Sequence, residues 1–79
     1  MIPLYGFLQG DTIGLLVLAQ PADSMAVLAD KLQAAAAVRV PPRERMVVRF
    51  KGRVLDGRLT VSQAGLSALD RFDVVPAGS

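Results

Sequence analysis

The sequence predicts a small α+β domain in which a mixed sheet of four or five strands packs on one α-helix. Three features of the 79-residue chain predict it: two short apolar runs around a glycine-containing turn, one amphipathic segment, and further short strands after that segment. A sheet and a helix of this size bury their apolar faces against each other. Domains of about 55–65 residues fold alone, so the chain is long enough for such a core.

The first two strands are predicted at the start of the chain. Residues 2–8 and 12–19 are apolar runs, and residues 9–11, Gln-Gly-Asp, are typical of a turn between them. Gly6 and Gly14 would each weaken a helix in this region. A β-hairpin is therefore predicted.

One helix is predicted after Ser24, whose hydroxyl can accept a free backbone N–H at the helix start. Asp23 adds negative charge near the positive end of the helix dipole. Apolar residues then recur at helical spacing, at Met25, Leu28, Ala29, Leu32, Ala35 and Ala36. The residues assigned to the opposite, polar side are Asp30, Lys31 and Gln33. Pro41 and Pro42 prevent the helix from continuing.

The later strands are shorter. Residues 45–51 alternate, with Met46, Val48 and Phe50 on one face and Arg45, Val47, Arg49 and Lys51 on the other. A short extended piece at residues 53–55, a turn at Asp56-Gly57, and a loop or single helical turn at residues 59–66 follow. The last strand, at residues 71–75, has Phe72 and Val74 on one face. This order of strands and helix predicts a β-grasp fold.

The predicted organisation is one domain over residues 1–76 and a short flexible tail at residues 77–79. No apolar run reaches the roughly 18 residues of a transmembrane helix. The opening residues, Met-Ile-Pro-Leu, lack the basic start of a signal peptide. A soluble, cytoplasmic protein that does not bind membranes is therefore expected.

The composition excludes most catalytic chemistry. The chain has no cysteine and no histidine, and its only glutamate is Glu44. Disulfides, thiol nucleophiles and the usual zinc, copper and haem ligand sets therefore cannot be built. Ser62 has no neighbouring base in the sequence that could activate it. No catalytic, cofactor-binding or metal-binding residue is predicted.

The charge is concentrated in one part of the chain. Residues 39–58 hold seven basic and two acidic residues, although the net charge of the whole chain is only +2. Such asymmetry can steer a partner. Nucleic-acid sites usually interleave aromatic residues with basic ones, and only Phe50 lies among these. A protein interface is favoured, with a solvated basic face and nucleic acid as the alternatives.

The second strand has apolar residues on both faces. Ile13, Leu15 and Val17 share one face, whereas Leu16 and Leu18 share the other. A sheet covered by a helix on one side needs only one apolar face, so the excess predicts a cover on the other side. The alternative is a central strand shielded by its neighbours. The predicted interface residues are Leu16, Leu18, Arg45, Val47, Arg49, Lys51, Asp73 and Val75.

The chain resembles ubiquitin along nearly its whole length. The similar landmarks are Asp23-Ser24 before the helix, Val40-Pro41-Pro42 after it, Phe50-Lys51-Gly52, and residues 60–66 followed by 72–75. A closer resemblance, over residues 2–75, is to the small γ (B) subunit of bacterial toluene and aromatic-hydrocarbon monooxygenases. The segments that carry it include Ile2-Pro3, Asp23-Ser24-Met25, residues 39–44 (RVPPRE), Val48-Arg49, Thr60-Val61 and Asp73-Val74-Val75. The chain departs from that family in a shorter turn at residues 53–57 and an alanine-rich helix end.

This resemblance implies a ubiquitin-like, non-catalytic accessory subunit that docks on a large subunit and stabilises it. The large subunit would hold a carboxylate-bridged diiron centre, so this chain would need no cofactor of its own. Its partners would be the large and medium subunits of an NADH-dependent hydroxylase, and it would be a monomer when isolated. The alternative is a free-standing bacterial ubiquitin-like interaction module, such as one linked to secretion machinery. Conjugation is not expected, because Pro76 follows the last strand and no Gly-Gly pair exists.

Overall fold

A computed structural model describes residues 1–78 as one mixed sheet and two helices. The strands are β1 (Ile2–Leu8), β2 (Gly14–Ala19), β3 (Met46–Phe50), β4 (Arg53–Val54) and β5 (Arg71–Pro76), and the helices are α1 (Met25–Ala36) and α2 (Val61–Ala64). The strand order in the sheet is β2-β1-β5-β3-β4. β1 and β5 are parallel, and the other neighbouring pairs are antiparallel. The predicted α+β, β-grasp fold is confirmed.

The core lies between α1 and the inner face of the sheet. Leu4, Phe72 and Val74 from the sheet and Leu28 and Leu32 from α1 are at most 1% exposed. Their packing needs a glycine in β1, an interior strand of the sheet. A Cβ built on Gly6 would lie 2.8 Å from Phe72 Cζ and 2.9 Å from Leu32 Cδ1. Gly6 therefore leaves the space in which the sheet and helix meet.

Helix α1 begins as predicted. The Ser24 hydroxyl accepts a hydrogen bond from the Val27 backbone N–H at 3.2 Å, which confirms the N-cap. The predicted apolar stripe is buried at Met25 and at its later positions through Ala36, except for Ala35, which is exposed. The helix ends at Ala36, well before Pro41.

Gln33 is buried, contrary to its predicted place on the polar side of α1. Its side chain makes two hydrogen bonds to the backbone of Arg43. Nε2 donates to the Arg43 carbonyl at 3.1 Å, and Oε1 accepts from the Arg43 N–H at 2.7 Å. A buried amide whose polar atoms are paired in this way avoids the cost of desolvation. The pair of bonds ties the proline-containing loop after α1 to the helix.

We expect Gln33→Leu to destabilise the protein by about 1–3 kcal/mol, because it removes both partners of the Arg43 backbone at similar side-chain volume. The free energy of unfolding would be measured by urea titration. Gln63→Leu is the control, since Gln63 lies on the exposed side of α2 and makes a comparable backbone contact there. Equal losses for the two variants would show that burial does not decide the cost.

Strand β3 is shorter than its alternating pattern predicts. Arg45 and Lys51 lie just outside it, with φ of 58° and 53°. These left-handed conformations end the extended backbone on both sides. The prediction of a strand over residues 45–51 is therefore wrong at its two ends, although Val48 is buried as expected.

Residues 59–66 contain α2, which agrees with the predicted single helical turn. Thr60 and Gln63 form a reciprocal capping box at its start. After β5, the Ala77 N–H donates to the carbonyl of Arg45, the residue that precedes β3, at 2.6 Å. Ser79, the end of the predicted tail, lies outside the described residues. Neither helix in residues 1–78 has the length and apolarity needed to cross a membrane.

Candidate protein-interaction surface

The sheet has a second face, opposite α1, which we call the outer sheet face. Successive strand residues point to opposite sides, and directly paired residues share a side. Because Leu4 and Leu8 of β1 point into the core, the residues that alternate with them, Pro3, Tyr5 and Phe7, point outward together with their strand partners. By register the outer sheet face consists of Pro3, Tyr5, Phe7, Gly14, Leu16, Leu18, Val47, Arg49, Val54, Arg71, Asp73 and Val75.

One half of the outer sheet face is apolar. Leu16 is 56% exposed and Leu18 is 49% exposed, and both lie on the edge strand β2. Tyr5, directly opposite Leu16 in the neighbouring strand, is 44% exposed. Leu15 and Val17, which alternate with these leucines, pack in or against the core. The two leucines are therefore the surplus apolar side chains that the sequence pattern indicated.

An aromatic ring and an arginine join this half to the rest of the face. The Phe7 ring lies over Gly14, where an added Cβ would come within 2.5 Å of Phe7 Cζ. The Arg71 guanidinium stacks on the same ring, with Cζ 4.0 Å from the ring centroid. This cation–π contact holds the guanidinium over the outer sheet face.

Asp73 is the only acidic residue of the outer sheet face within residues 1–78, and it lies between two arginines. Its Oδ1 lies 3.3 Å from Arg71 Nε, and its Oδ2 lies 3.7 Å from Arg49 Nη2. The Asp73 side chain is 25% exposed, whereas those of Arg49 and Arg71 are 46% and 64% exposed. The single Asp73 carboxylate thus pairs with two arginine side chains that both remain exposed to solvent.

The structure brings six of the eight predicted interface residues onto this face. They are Leu16, Leu18, Val47, Arg49, Asp73 and Val75. Val75 is only 5% exposed, so it supports the face from within rather than presenting surface. Arg45 and Lys51 lie beyond the ends of β3 with left-handed backbones, and the Lys51 ammonium lies over the Phe50 ring.

Sequence reasoning missed Tyr5, Phe7 and Arg71. The signal for Tyr5 and Phe7 was present, because large residues occupy alternate positions between Leu4 and Leu8. Arg71 had a similar signal, because its position alternates with Phe72 and falls on the same side as Asp73 and Val75. The sequence does not show that β5 pairs in parallel with β1, which sets Arg71 directly beside Tyr5.

Two further carboxylates form ion pairs away from this face. The hydrogen bond from the Arg39 guanidinium lowers the pKa of Asp11 below its ordinary value. The backbone N–H of Gln20, with the Lys31 ammonium at 2.7 Å, lowers the pKa of Asp23. Both carboxylates thus bind protons less readily in the folded chain than in the unfolded one.

These shifts predict loss of stability in acid. Because the unfolded chain takes up protons near an ordinary aspartate pKa of about 3.9, the stability due to Asp11 and Asp23 is present above that pH. It is lost as the pH falls below about 4 and on through the lower folded-state pKa values. Urea midpoints measured across that range should fall, and Asp11→Asn should flatten the dependence. Asp30→Asn, which removes an exposed carboxylate with no ion pair among residues 1–78, is the control. An unchanged acid dependence in Asp11→Asn would contradict the prediction.

The chemistry available on the outer sheet face is that of recognition. It offers aliphatic and aromatic surface beside arginine donors, as protein interfaces do. Within residues 1–78, no group of three or more carboxylates is placed to hold a metal ion.

Solved structures define the class of fold. Caldiarchaeum subterraneum ubiquitin superposes with a TM-score of 0.77 and 19% identity, over 99% of this chain and 95% of that one. AtBAG1, solved in complex with HSP70, gives a TM-score of 0.79 and 12% identity, over 99% of this chain and 41% of that one. Both likenesses concern the fold alone, and they agree with a ubiquitin-like β-grasp fold for this chain.

The family is narrower than that class. The model of the family toluene-4-monooxygenase system protein B (TmoB) matches residues 1–75, and the chain belongs to this family. A chain of the toluene 4-monooxygenase HD complex with the inhibitor 4-bromobenzoate superposes with a TM-score of 0.86. It is 29% identical, over 94% of this chain and 95% of that one. The resemblance stated from the sequence is thereby confirmed. No curated protein matches the chain.

Proposed function

We propose that this chain is the non-catalytic accessory (γ) subunit of a multicomponent, diiron toluene-type monooxygenase hydroxylase. It docks on the large subunit through the outer sheet face and stabilises the assembled enzyme. The family match over residues 1–75 supports the kind of assembly. The similar chain within a toluene 4-monooxygenase complex supports a hydroxylase as the partner.

The single observation that carries the docking role is the apolar half of the outer sheet face. The core between α1 and the sheet is complete without Leu16 and Leu18, which remain about half exposed. A standard interface covers about 800 Å² per partner, roughly a sixth of the 4749 Å² accessible surface of this chain. A partner that covered this much of the outer sheet face would remove Leu16 and Leu18 from water. The free energy gained by doing so grows with the apolar area buried.

The iron and the reaction belong to the partner in this proposal. A diiron centre held by carboxylates needs several of them close together, and residues 1–78 provide no group of three. The chain also lacks histidine, the other common iron ligand. This subunit therefore contributes surface and stability, while the oxidation of the hydrocarbon takes place on the large subunit.

Affinity purification of the tagged chain from its native cells tests the proposal. We expect stoichiometric recovery of a large iron-containing protein, identified by mass spectrometry as a monooxygenase subunit. Deleting the gene for this chain should lower the yield or thermal stability of the hydroxylase without changing its products. Recovery of the chain alone, at 8.4 kDa, or with secretion components, would contradict the subunit role and favour a free-standing interaction module.

A further inference from the structure

The charged half of the outer sheet face consists of Arg49, Arg71 and Asp73. Its two arginines have more hydrogen-bond donors than the Asp73 carboxylate can accept. Arg49 and Arg71 together carry ten N–H donors, and Asp73 is their shared carboxylate partner. Within the described part of the chain, Arg71 donates to Asp73 only through Nε, so its two Nη groups make no hydrogen bond there. Those groups have the planar, paired geometry that suits a second carboxylate.

The arginine donors are also held in place before any partner arrives. The Arg71 guanidinium is stacked on Phe7 and anchored by Asp73, and Phe7 is itself seated on Gly14. Ordering an arginine side chain during binding costs conformational entropy. That cost is smaller for Arg71, because its guanidinium is already held in place before the partner binds. Phe7 and Asp73 act here as positioning residues.

A shallow depression opens beside these arginines. Its volume is about 380 Å³, and its lining includes Arg49, Lys51, Arg71 and Asp73. That is the liquid volume of roughly a dozen waters, so an acidic side chain fits in it. Three cations against Asp73 and Asp70 leave the lining positively charged.

We infer that the partner of the outer sheet face presents an aspartate or glutamate carboxylate to Arg49 and Arg71, next to an apolar patch that covers Leu16 and Tyr5. The inference rests on the proposed function, with the large hydroxylase subunit as the partner. The register supports it, because Leu16, Tyr5 and Arg71 form one row across β2, β1 and β5. A single continuous surface can therefore contact the apolar and the charged half together.

A protein carboxylate fits this face better than a nucleic-acid phosphate. Proteins that bind single strands stack bases on open aromatic faces along a basic groove. Here Arg71 covers one face of the Phe7 ring. Tyr5 lies between Arg71 on one neighbouring strand and the aliphatic Leu16 on the other. An apolar patch with exposed aromatic residues next to arginines is instead typical of the core of protein interfaces.

The test compares two double variants that lose the same charge. Arg49→Gln with Arg71→Gln removes the outer-face arginines, whereas Arg53→Gln with Arg58→Gln removes two exposed arginines that do not belong to this face. Each variant would compete with the tagged wild-type chain for the hydroxylase that the wild type recovers. We expect binding about tenfold weaker or worse for the first variant and little change for the second, because truncating a buried charge pair costs far more than a rim charge.

Salt provides a measurement that needs no substitution. The association rate of the wild-type chain with the hydroxylase should fall markedly between about 0.05 and 0.5 M NaCl, because salt screens the attraction between the separated charges before they are buried. Circular dichroism would check that the variants fold, and the salt series decides the matter if the first variant does not.

The inference is overturned if the two double variants compete equally well, or if the association rate does not depend on salt. It is also overturned if a labelled single-stranded oligonucleotide binds the wild type and loses binding in the first variant. In these cases recovery of the hydroxylase by the wild type leaves the proposed function standing. Failure of the wild type to recover any hydroxylase overturns both.

Discussion

Replacing Leu16 and Leu18 with lysine is expected to abolish recovery of the large hydroxylase subunit while leaving the chain folded. Truncating a central apolar anchor of an interface costs about 2 kcal/mol or more, and burying an added charge costs further. Two such changes should weaken binding at least about a hundredfold. Both side chains are about half exposed on an edge strand, where lysine is well tolerated. Competition for the hydroxylase and a thermal melt are the two measurements.

The matched control places the same two lysines elsewhere on the molecule. Val27 is 41% exposed on α1, and Val38 is 89% exposed just after it, so neither belongs to the outer sheet face. Val27→Lys with Val38→Lys adds the same charge and removes a similar amount of exposed apolar surface. If this variant loses binding as strongly as the leucine variant, docking through the outer sheet face is wrong.

Phe72→Ala is expected to give the largest loss of stability, about 3–5 kcal/mol. The ring is 1% exposed and fills the space above Gly6, so its removal leaves a cavity in the centre of the core. Small domains have total stabilities of about 5–15 kcal/mol, and the variant should be partly unfolded at moderate temperature. Urea and thermal unfolding, followed by far-ultraviolet circular dichroism, measure the loss.

Phe7→Ala makes the same chemical deletion on the opposite side of the sheet. Phe7 is only partly buried, over Gly14 and under Arg71. We expect a smaller loss of about 1–2 kcal/mol, from reduced apolar burial and the lost cation–π contact. A loss equal to that of Phe72→Ala would mean that the outer sheet face belongs to the core rather than to an interface.

Much of the fold could be predicted because its signals are local. Ser24 caps α1 through a bond to a residue three positions away, and the apolar spacing from Met25 onward follows the turn of a helix. The alternation within β3 likewise assigned Val48 to the core. Each of these features depends on neighbours in the sequence, so it can be read without knowing the tertiary structure.

Gln33 and the ends of β3 could not be predicted in this way. The helical spacing assigned Gln33 to the polar side of α1. Gln33 is nevertheless buried, because its side chain makes two hydrogen bonds to the backbone of Arg43. The alternation through Arg45 and Lys51 continues in the sequence, but the backbone turns left-handed at both residues. The pattern of residue types does not show at which residues the backbone adopts these left-handed conformations.

The β-grasp architecture, the lack of histidine and cysteine chemistry, and the resemblance to the toluene monooxygenase γ subunit follow from residue types and their order along the chain. Which residues of different strands lie side by side on the outer sheet face follows from the tertiary structure alone. The parallel pairing of β1 with β5 sets Tyr5 and Phe7 beside Arg71 and Asp73. The physical reason is that strand register depends on contacts between segments far apart in the chain, and a shift of one residue would turn every one of these side chains to the opposite face.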